Sequence, residues 1–462
     1  MPKHFYFRMR IVSFCFARVR ATEFGPSSLK RALKTALMAK PPTWSCEVGP
    51  GAMTKVGLRR GVAFRILPAG TAVSAAFSTR TDVRRAVAAV IVALSLAWPA
   101  AEAMARCAPA AVAGGSPSNT TVTCTGRVTN QNGNTGFGTG EQNNDTINVL
   151  AATTVTGSGP SPNIGASLNL GTGNIVNLTA TTSNVTGGND GILTAGSITI
   201  MSSGTIFGSN AAILIFGTTT ASNIVNSGTI SSPADTIGAF GALNVTNSSS
   251  GIIQSTGPTG GAIAANDTLT VNNAGIIRQA GVGMGSLGLL GPAGAMTNVT
   301  NSGTISGGMA AIDALGGATV MNSGNLLAGM AGVATVGTTM VTNTQGGVIQ
   351  ATTAGASAGV LAMSLTAPAT VTNAGTISGN LDGVNTNTSA TTTISNSGMI
   401  NGTTRDGLRV NSATFTNAAG GTLTGATGIL FRAAAGTSSI TIRVRSPARA
   451  ASRSTRARPW AP

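Results

Sequence analysis

The sequence is poor in the groups that do chemistry. Its 462 residues include one histidine, and only 9% are charged and 4% aromatic. The histidine is His4, at the N-terminus, which excludes Ser-His-Asp and Cys-His hydrolysis, H-E-x-x-H zinc sites and imidazole bases elsewhere. Between 107 and 442 there is no Trp or Tyr, there are six Phe, and the eight acidic residues are scattered. A sugar-cleaving site wants clustered carboxylates and aromatic platforms, so catalysis is the weaker expectation. Only Asp382 and Asp406 hold equivalent places in successive repeats, where stacking would set them about 5 Å apart. That spacing suits a retaining carboxylate pair, but two turn-forming Asp residues are the commoner cause. Gly283-Met-Gly285-Ser-Leu-Gly288 resembles a nucleotide loop, yet no helical pattern follows, and it reads as a flexible loop. No catalytic residue, cofactor or metal is expected.

Basic charge is abundant overall, with 28 Lys plus Arg against 12 Asp plus Glu, but it sits at the flanks. Residues 1–85 hold 16 basic and three acidic groups, and 443–462 hold six arginines and no acid. The stretch 107–442 is slightly acidic, with five basic and eight acidic groups. A nucleic-acid partner is therefore not expected, although a high isoelectric point usually suggests one.

Arg84 and Arg85 precede 13 apolar or small residues, then Pro99 and Ala101-Glu102-Ala103-Met104-Ala105. The run is too short for a membrane-spanning helix. It fits the apolar region of a signal peptide over 84–105, cut after Ala103 or Ala105; a buried helix is the alternative. Residues 1–83 read as a disordered basic extension or as sequence upstream of the true start. Cys15 and Cys46 would be lost with it. Cys107 and Cys124 follow the cut, 17 residues apart and without C-x-x-C spacing. In an oxidising compartment they should pair, closing a loop worth about 3 kcal/mol; two buried thiols are the alternative.

What the chain does have is a repeat. Ile224-Val-Asn226-Ser-Gly228-Thr-Ile230 returns as Val299-Thr-Asn301-Ser-Gly303-Thr-Ile305, Val371-Thr-Asn373-Ala-Gly375-Thr-Ile377 and Ile394-Ser-Asn396-Ser-Gly398-Met-Ile400. Aligned on the glycine, copies stand at Gly204, Gly228, Gly251, Gly275, Gly303, Gly324, Gly347, Gly375, Gly398 and Gly421. A near-constant period of this size means a solenoid or a propeller. Thr, Val and Ile dominate its short runs and helix formers are missing. Propeller blades need a longer period, and leucine-rich repeats need a core pattern that is absent.

The expected fold is all-β: a right-handed parallel β-helix of about ten coils over 190–440. Residues 106–189 should form an N-terminal cap and imperfect coils, and 441–462 an Arg-rich disordered tail. Asn-x-Gly is expected at a corner whose left-handed backbone Asn and Gly tolerate, with Asn226, Gly228, Asn301, Gly303, Asn373, Gly375, Asn396 and Gly398 as turn residues. Stacked Asn amides can bond from coil to coil. Ile230, Ile305, Val371, Ile377 and Ile400 should face the core, and Thr304 and Thr376 solvent. A second register, as in Asp382-Gly383-Val384 and Asp406-Gly407-Leu408, marks a second corner.

The N-S-G-T-I-S-G repeats, the long leader and Cys124-Thr-Gly-Arg-Val-Thr-Asn-Gln-Asn-Gly-Asn-Thr-Gly-Phe-Gly-Thr-Gly resemble the passenger domains of bacterial autotransporters. The resemblance covers about 107–440. It implies a right-handed β-helix shown at the cell surface, often for adhesion to a host or matrix ligand. The family's outer-membrane barrel, with its aromatic-girdled strands, has no counterpart here, and the tail reads as a truncation or frameshift. Export to the surface is expected if a barrel is supplied, and to the periplasm otherwise. A polysaccharide-degrading β-helix enzyme and a rod secreted by a separate partner barrel are the competing readings.

Overall fold

The structure is a computed structural model. It describes residues 62–66, 73–77 and 105–443, except 113, 115–116, 160–165, 218–219, 282–284, 355–356, 365, 389 and 433–437. The expected signal segment up to 104 and the tail beyond 443 lie outside the described residues. The chain divides into two units, Met1–Glu102 and Ala103–Pro462. In the first, Val62–Ile66 pairs antiparallel with Val73–Phe77, within the extension expected to be disordered.

The second unit is a parallel β-solenoid with three sheets, of 15, 13 and 12 strands. One coil shows the plan. Ser222–Asn226 lies in the first sheet, a corner at Ser227-Gly228 leads to Thr229–Ser232 in the second, and Ile237–Ala239 lies in the third. The chain then returns to the first sheet as Leu243–Asn247, directly beside Ser222–Asn226. Burial alternates along Ser222–Asn226, with Ser222, Ile224 and Asn226 inside and Asn223 and Val225 outside. That period of two is what β-geometry demands of a half-buried strand.

Stacking turns the repeat into columns. Ile230, Ile253, Ile277, Ile305, Leu326, Ile349, Ile377 and Ile400 are partners in successive second-sheet strands, each 0% exposed. Val371 and its neighbours Val341 and Ile394 do the same in the first sheet. Burying such a side chain contributes about 1.5–3 kcal/mol, and three inward columns make one continuous core. Thr304 and Thr376 lie between core positions and are partly exposed.

One sequence expectation is extended and another corrected. The ten glycine-registered coils are joined by three more within 106–189, the stretch expected to hold imperfect coils, where Arg127–Thr129, Thr154–Gly157 and Asn184–Gly187 stack in the same second sheet. The solenoid thus has about thirteen rungs, roughly 60 Å at the usual strand spacing. The corner glycines also act differently from expectation. Gly228, Gly303, Gly375 and Gly398 are absent from the positive-φ residues; among the asparagine corners only two of the longer ones use such a residue, at Gly346 and Gly420. At Gly303 a Cβ would lie 2.1 Å from the Gly275 carbonyl oxygen, and at Gly398 2.1 Å from that of Gly375. Glycine is required because the coils approach too closely for any side chain, not because the backbone is left-handed.

Candidate binding groove

Of the expected turn residues, the asparagines belong to a buried ladder. From Asn226 through Asn247, Asn273, Asn301, Asn322, Asn343, Asn373 and Asn396 to Asn417, each Nδ2 donates to the next Oδ1 at 2.8–2.9 Å. Each of these asparagines, Asn417 included, also donates to the glycine carbonyl that closes its own corner, as Asn301 does to Gly303 at 3.2 Å. The amides satisfy one another, so this column holds the rod together and offers nothing to a ligand. The same column continues towards the N-terminus as Ser202, Leu178, Val149 and Cys124. Cys124 is joined to Cys107 by a disulfide, on an antiparallel strand that closes that end.

Asp382 and Asp406 are brought into adjacent coils, but neither is free. Arg405 donates through Nε to Asp382 Oδ1 at 2.8 Å and through Nη2 to Oδ2, and Asn385 adds a bond to Oδ2 at 2.8 Å. Asp406 Oδ2 lies 3.7 Å from Arg405 Nε and 3.5 Å from Arg409 Nη1. The hydrogen bond to Asp382 raises the Arg405 pKa above its ordinary value despite partial burial. Burial, then the neighbouring Arg409 charge, lowers that of Arg432, which reaches Asn385 and Asn387. A carboxylate held by a two-pronged guanidinium from the next coil is a clamp between coils. Among the described residues there is no group of three or more His, Cys, Asp or Glu side chains that could hold a metal ion.

The unusual surface is the outer face of the third sheet. Its inward column holds Ile213, Ile263, Leu289, Ile312, Val333 and Val360, all buried. The residue after each therefore points away from the core: Leu214, Ala264, Leu290, Asp313, Ala334 and Leu361, in register on successive rungs except for Gly238 between the first two. The outer faces of the other two sheets carry more Thr, Asn and Ser, as in Thr370, Thr372, Thr393 and Ser395, but are broken by Ile175, Met201, Val225, Met321 and Met340 in the first sheet and by Ile276 and Met399 in the second. Part of this third-sheet face is itself packed: Ala334 joins Leu287, Ala310 and Ala331 in a buried cluster separate from the core, with Leu290, Met309 and Leu361 against it.

The floor has walls. At the corner leading back to the first sheet, Phe216, Phe240, Leu315, Val336 and Met363 are exposed. Phe216 and Phe240 stack, with ring centroids 5.1 Å apart. Next to Phe240 a shallow pocket has Leu214, Gly238 and Ala264 as its base, with Asn210, Asp235 and Asn266 around it. In the middle of the groove lies Asp313, 8% exposed. Its Oδ1 has no hydrogen-bond partner, and burial alone raises its pKa. By contrast Asp190, also raised by burial, receives bonds from Asn189, Asn210 and the Ala211 amide.

None of the groove residues was expected from the sequence as a site. One signal was present: Phe216 and Phe240 are one repeat step apart, so any solenoid reading sets them side by side. Asp313 had no such signal, because one Asp among apolar residues looks the same whether it faces solvent or a groove. No protein-family model, no curated protein and no solved structure matches the chain.

Proposed function

We propose that this chain is an exported, passenger-type β-solenoid that works by binding, with the groove of the third sheet as its contact surface. The observation that carries the reading is the run of apolar residues on consecutive rungs of the third sheet, flanked by the exposed Phe216, Phe240, Leu315, Val336 and Met363; on the other two sheets exposed apolar residues are scattered among Thr, Asn and Ser. These five are exposed beside the partly buried Leu214, Leu290 and Leu361, and apolar surface gathered in this way marks an interaction site. Export is supported by the leader-like sequence at 84–105 and by the Cys107–Cys124 disulfide, a bond at home in oxidising compartments. A structural or adhesive role is favoured over polysaccharide cleavage, since Arg405 and Asn385 already occupy the Asp382 carboxylate.

The test uses cells that express the chain together with an outer-membrane barrel. Protease added to intact cells should release the rod, and the released N-terminus should be Met104 or Arg106. Leu361→Lys, in the groove floor, should leave that release unchanged and abolish attachment of the cells to a surface the wild type colonises. Attachment that survives the substitution would remove the groove from the function. A rod resistant to protease until the cells are broken would remove the surface location.

A further inference from the structure

Asp313 is the one charged group in the apolar part of the groove, and no described residue forms an ion pair with it. Ion pairs among the described residues involve only Asp382 and Asp406. Asp313 is more than nine-tenths buried, and its Oδ1 has neither a hydrogen bond nor solvent contact. Leu290 and Ala334 flank it in register on the adjoining rungs. Burying an unpaired carboxylate is costly, and a group that keeps this cost in a groove rather than in the core points to a missing partner.

We propose that Asp313 anchors a primary ammonium group carried on an apolar stem, supplied by a lysine side chain of a protein partner lying in the groove. The proposal rests on the reading of this groove as the contact surface. An ammonium is favoured over a guanidinium because one carboxylate oxygen is enclosed. The two-pronged pairing that suits arginine needs both oxygens, whereas a point charge needs one. A lysine stem is itself apolar and lies along such a surface while its head reaches the charge. A polypeptide is favoured over a free amine because the floor continues on both sides of Asp313. Ala264 and Leu290 precede it and Ala334 and Leu361 follow, which gives seats to apolar residues flanking the lysine. Charge complementarity in a desolvated site then fixes register along an otherwise featureless strip.

The experiment uses the purified full chain, so it does not depend on export or on cell attachment. Three probes are titrated at neutral pH: a five-residue peptide with a central lysine between apolar residues, the same peptide with norleucine in its place, and n-hexylamine. The lysine peptide should bind at least about tenfold tighter than either of the others. Asp313→Asn should lose the preference for lysine over norleucine. Asp313→Leu should lose it too while melting at a higher temperature, because a buried unpaired charge has been removed; that variant shows that lost binding is not lost folding. Equal affinity for the lysine and norleucine peptides, or a preference that survives Asp313→Asn, would overturn the proposal. Hexylamine binding as tightly as the lysine peptide would overturn the assignment to a protein partner. Lysine-selective binding by a chain that fails the intact-cell assay would leave this site standing and remove only the surface role.

Discussion

Towards the N-terminus the corner column of the first sheet holds Cys124, Val149, Leu178 and Ser202, whereas from Asn226 to Asn417 every rung holds asparagine. The strands stay parallel and in register through both regions. A coil of this shape therefore does not need asparagine. It needs a column in which buried polar groups either all find partners or do not occur. The apolar stretch meets the condition by packing and is closed off by the disulfide. The asparagine stretch meets it by bonds from rung to rung, so each amide there depends on the next. Half-satisfied mixtures of the two would be worse than either.

The largest effect should ignore this difference. The second-sheet column is apolar in both regions, with Val155 and Ile377 each 0% exposed. Ile377→Asp and Val155→Asp should each lose several kcal/mol in denaturant unfolding, against about 0.5 kcal/mol for Thr376→Asp. Equal shifts for Ile377→Asp and Thr376→Asp would mean that the inward and outward faces are wrongly assigned.

Next in size come two changes that act on one region each. Asn322 donates to Asn343, to the Gly324 carbonyl and to the Val348 carbonyl, and accepts from Asn301. Asn322→Leu would strand several buried groups at once, at about 3 kcal/mol in all. In the other region, Cys107→Ser with Cys124→Ser should cost about 3 kcal/mol by the chain-entropy account. Hydrogen exchange separates them. The cysteine pair should speed exchange in the rungs around Thr121–Thr125 and Thr146–Val149, and Asn322→Leu should do so around Gly317–Asn322 and Thr339–Asn343. Uniform acceleration in both variants would show that the rod unfolds as one unit and that the two columns are not local devices.

The same contrast explains what could be read from the sequence. The asparagine rungs announce themselves: Asn, Gly and the following Ile recur at a near-constant step, and that is enough to infer a parallel solenoid and its core positions. The first rungs were legible only as imperfect coils, because an apolar column has no distinctive residue. Val128, Val155 and Val185 fall in register at uneven spacings, so no period betrays them. The glycine at the corner was legible as a requirement but not in its reason, since the contact that forbids a side chain is with the coil below. The groove was least legible. Leu214, Leu290 and Leu361 follow core residues directly, and an apolar pair such as Leu289-Leu290 does not say that its two members face opposite sides of a sheet. Asp313 gains its meaning only from its neighbours on other rungs.

The smallest expected effect is the most specific test of the ladder. Ser202 stands at the boundary, in register with Asn226 on one side and Leu178 on the other. Its hydroxyl reaches the Gly204 carbonyl only at 3.5 Å, while the Asn226 amide donates forward to Asn247 and leaves its Oδ1 facing the Gly228 amide at 3.2 Å. Ser202→Asn would extend the column by one rung. The new Nδ2 would donate both to Asn226 Oδ1 and to the Gly204 carbonyl, copying the pattern of every rung beyond it. A net gain of about 1 kcal/mol is expected from hydrogen bonds of this kind, measured as a higher denaturation midpoint with an unchanged slope. The new Oδ1 would face Leu178, which has no donor to give, and this sets the limit on the gain. Leu178→Asn alone should therefore destabilise, while the double variant Leu178→Asn with Ser202→Asn should recover part of that loss through the bond between the two amides. A double variant no better than the sum of its single changes would show that the ladder carries no coupling between rungs, and that asparagine recurs there for the shape of the corner alone.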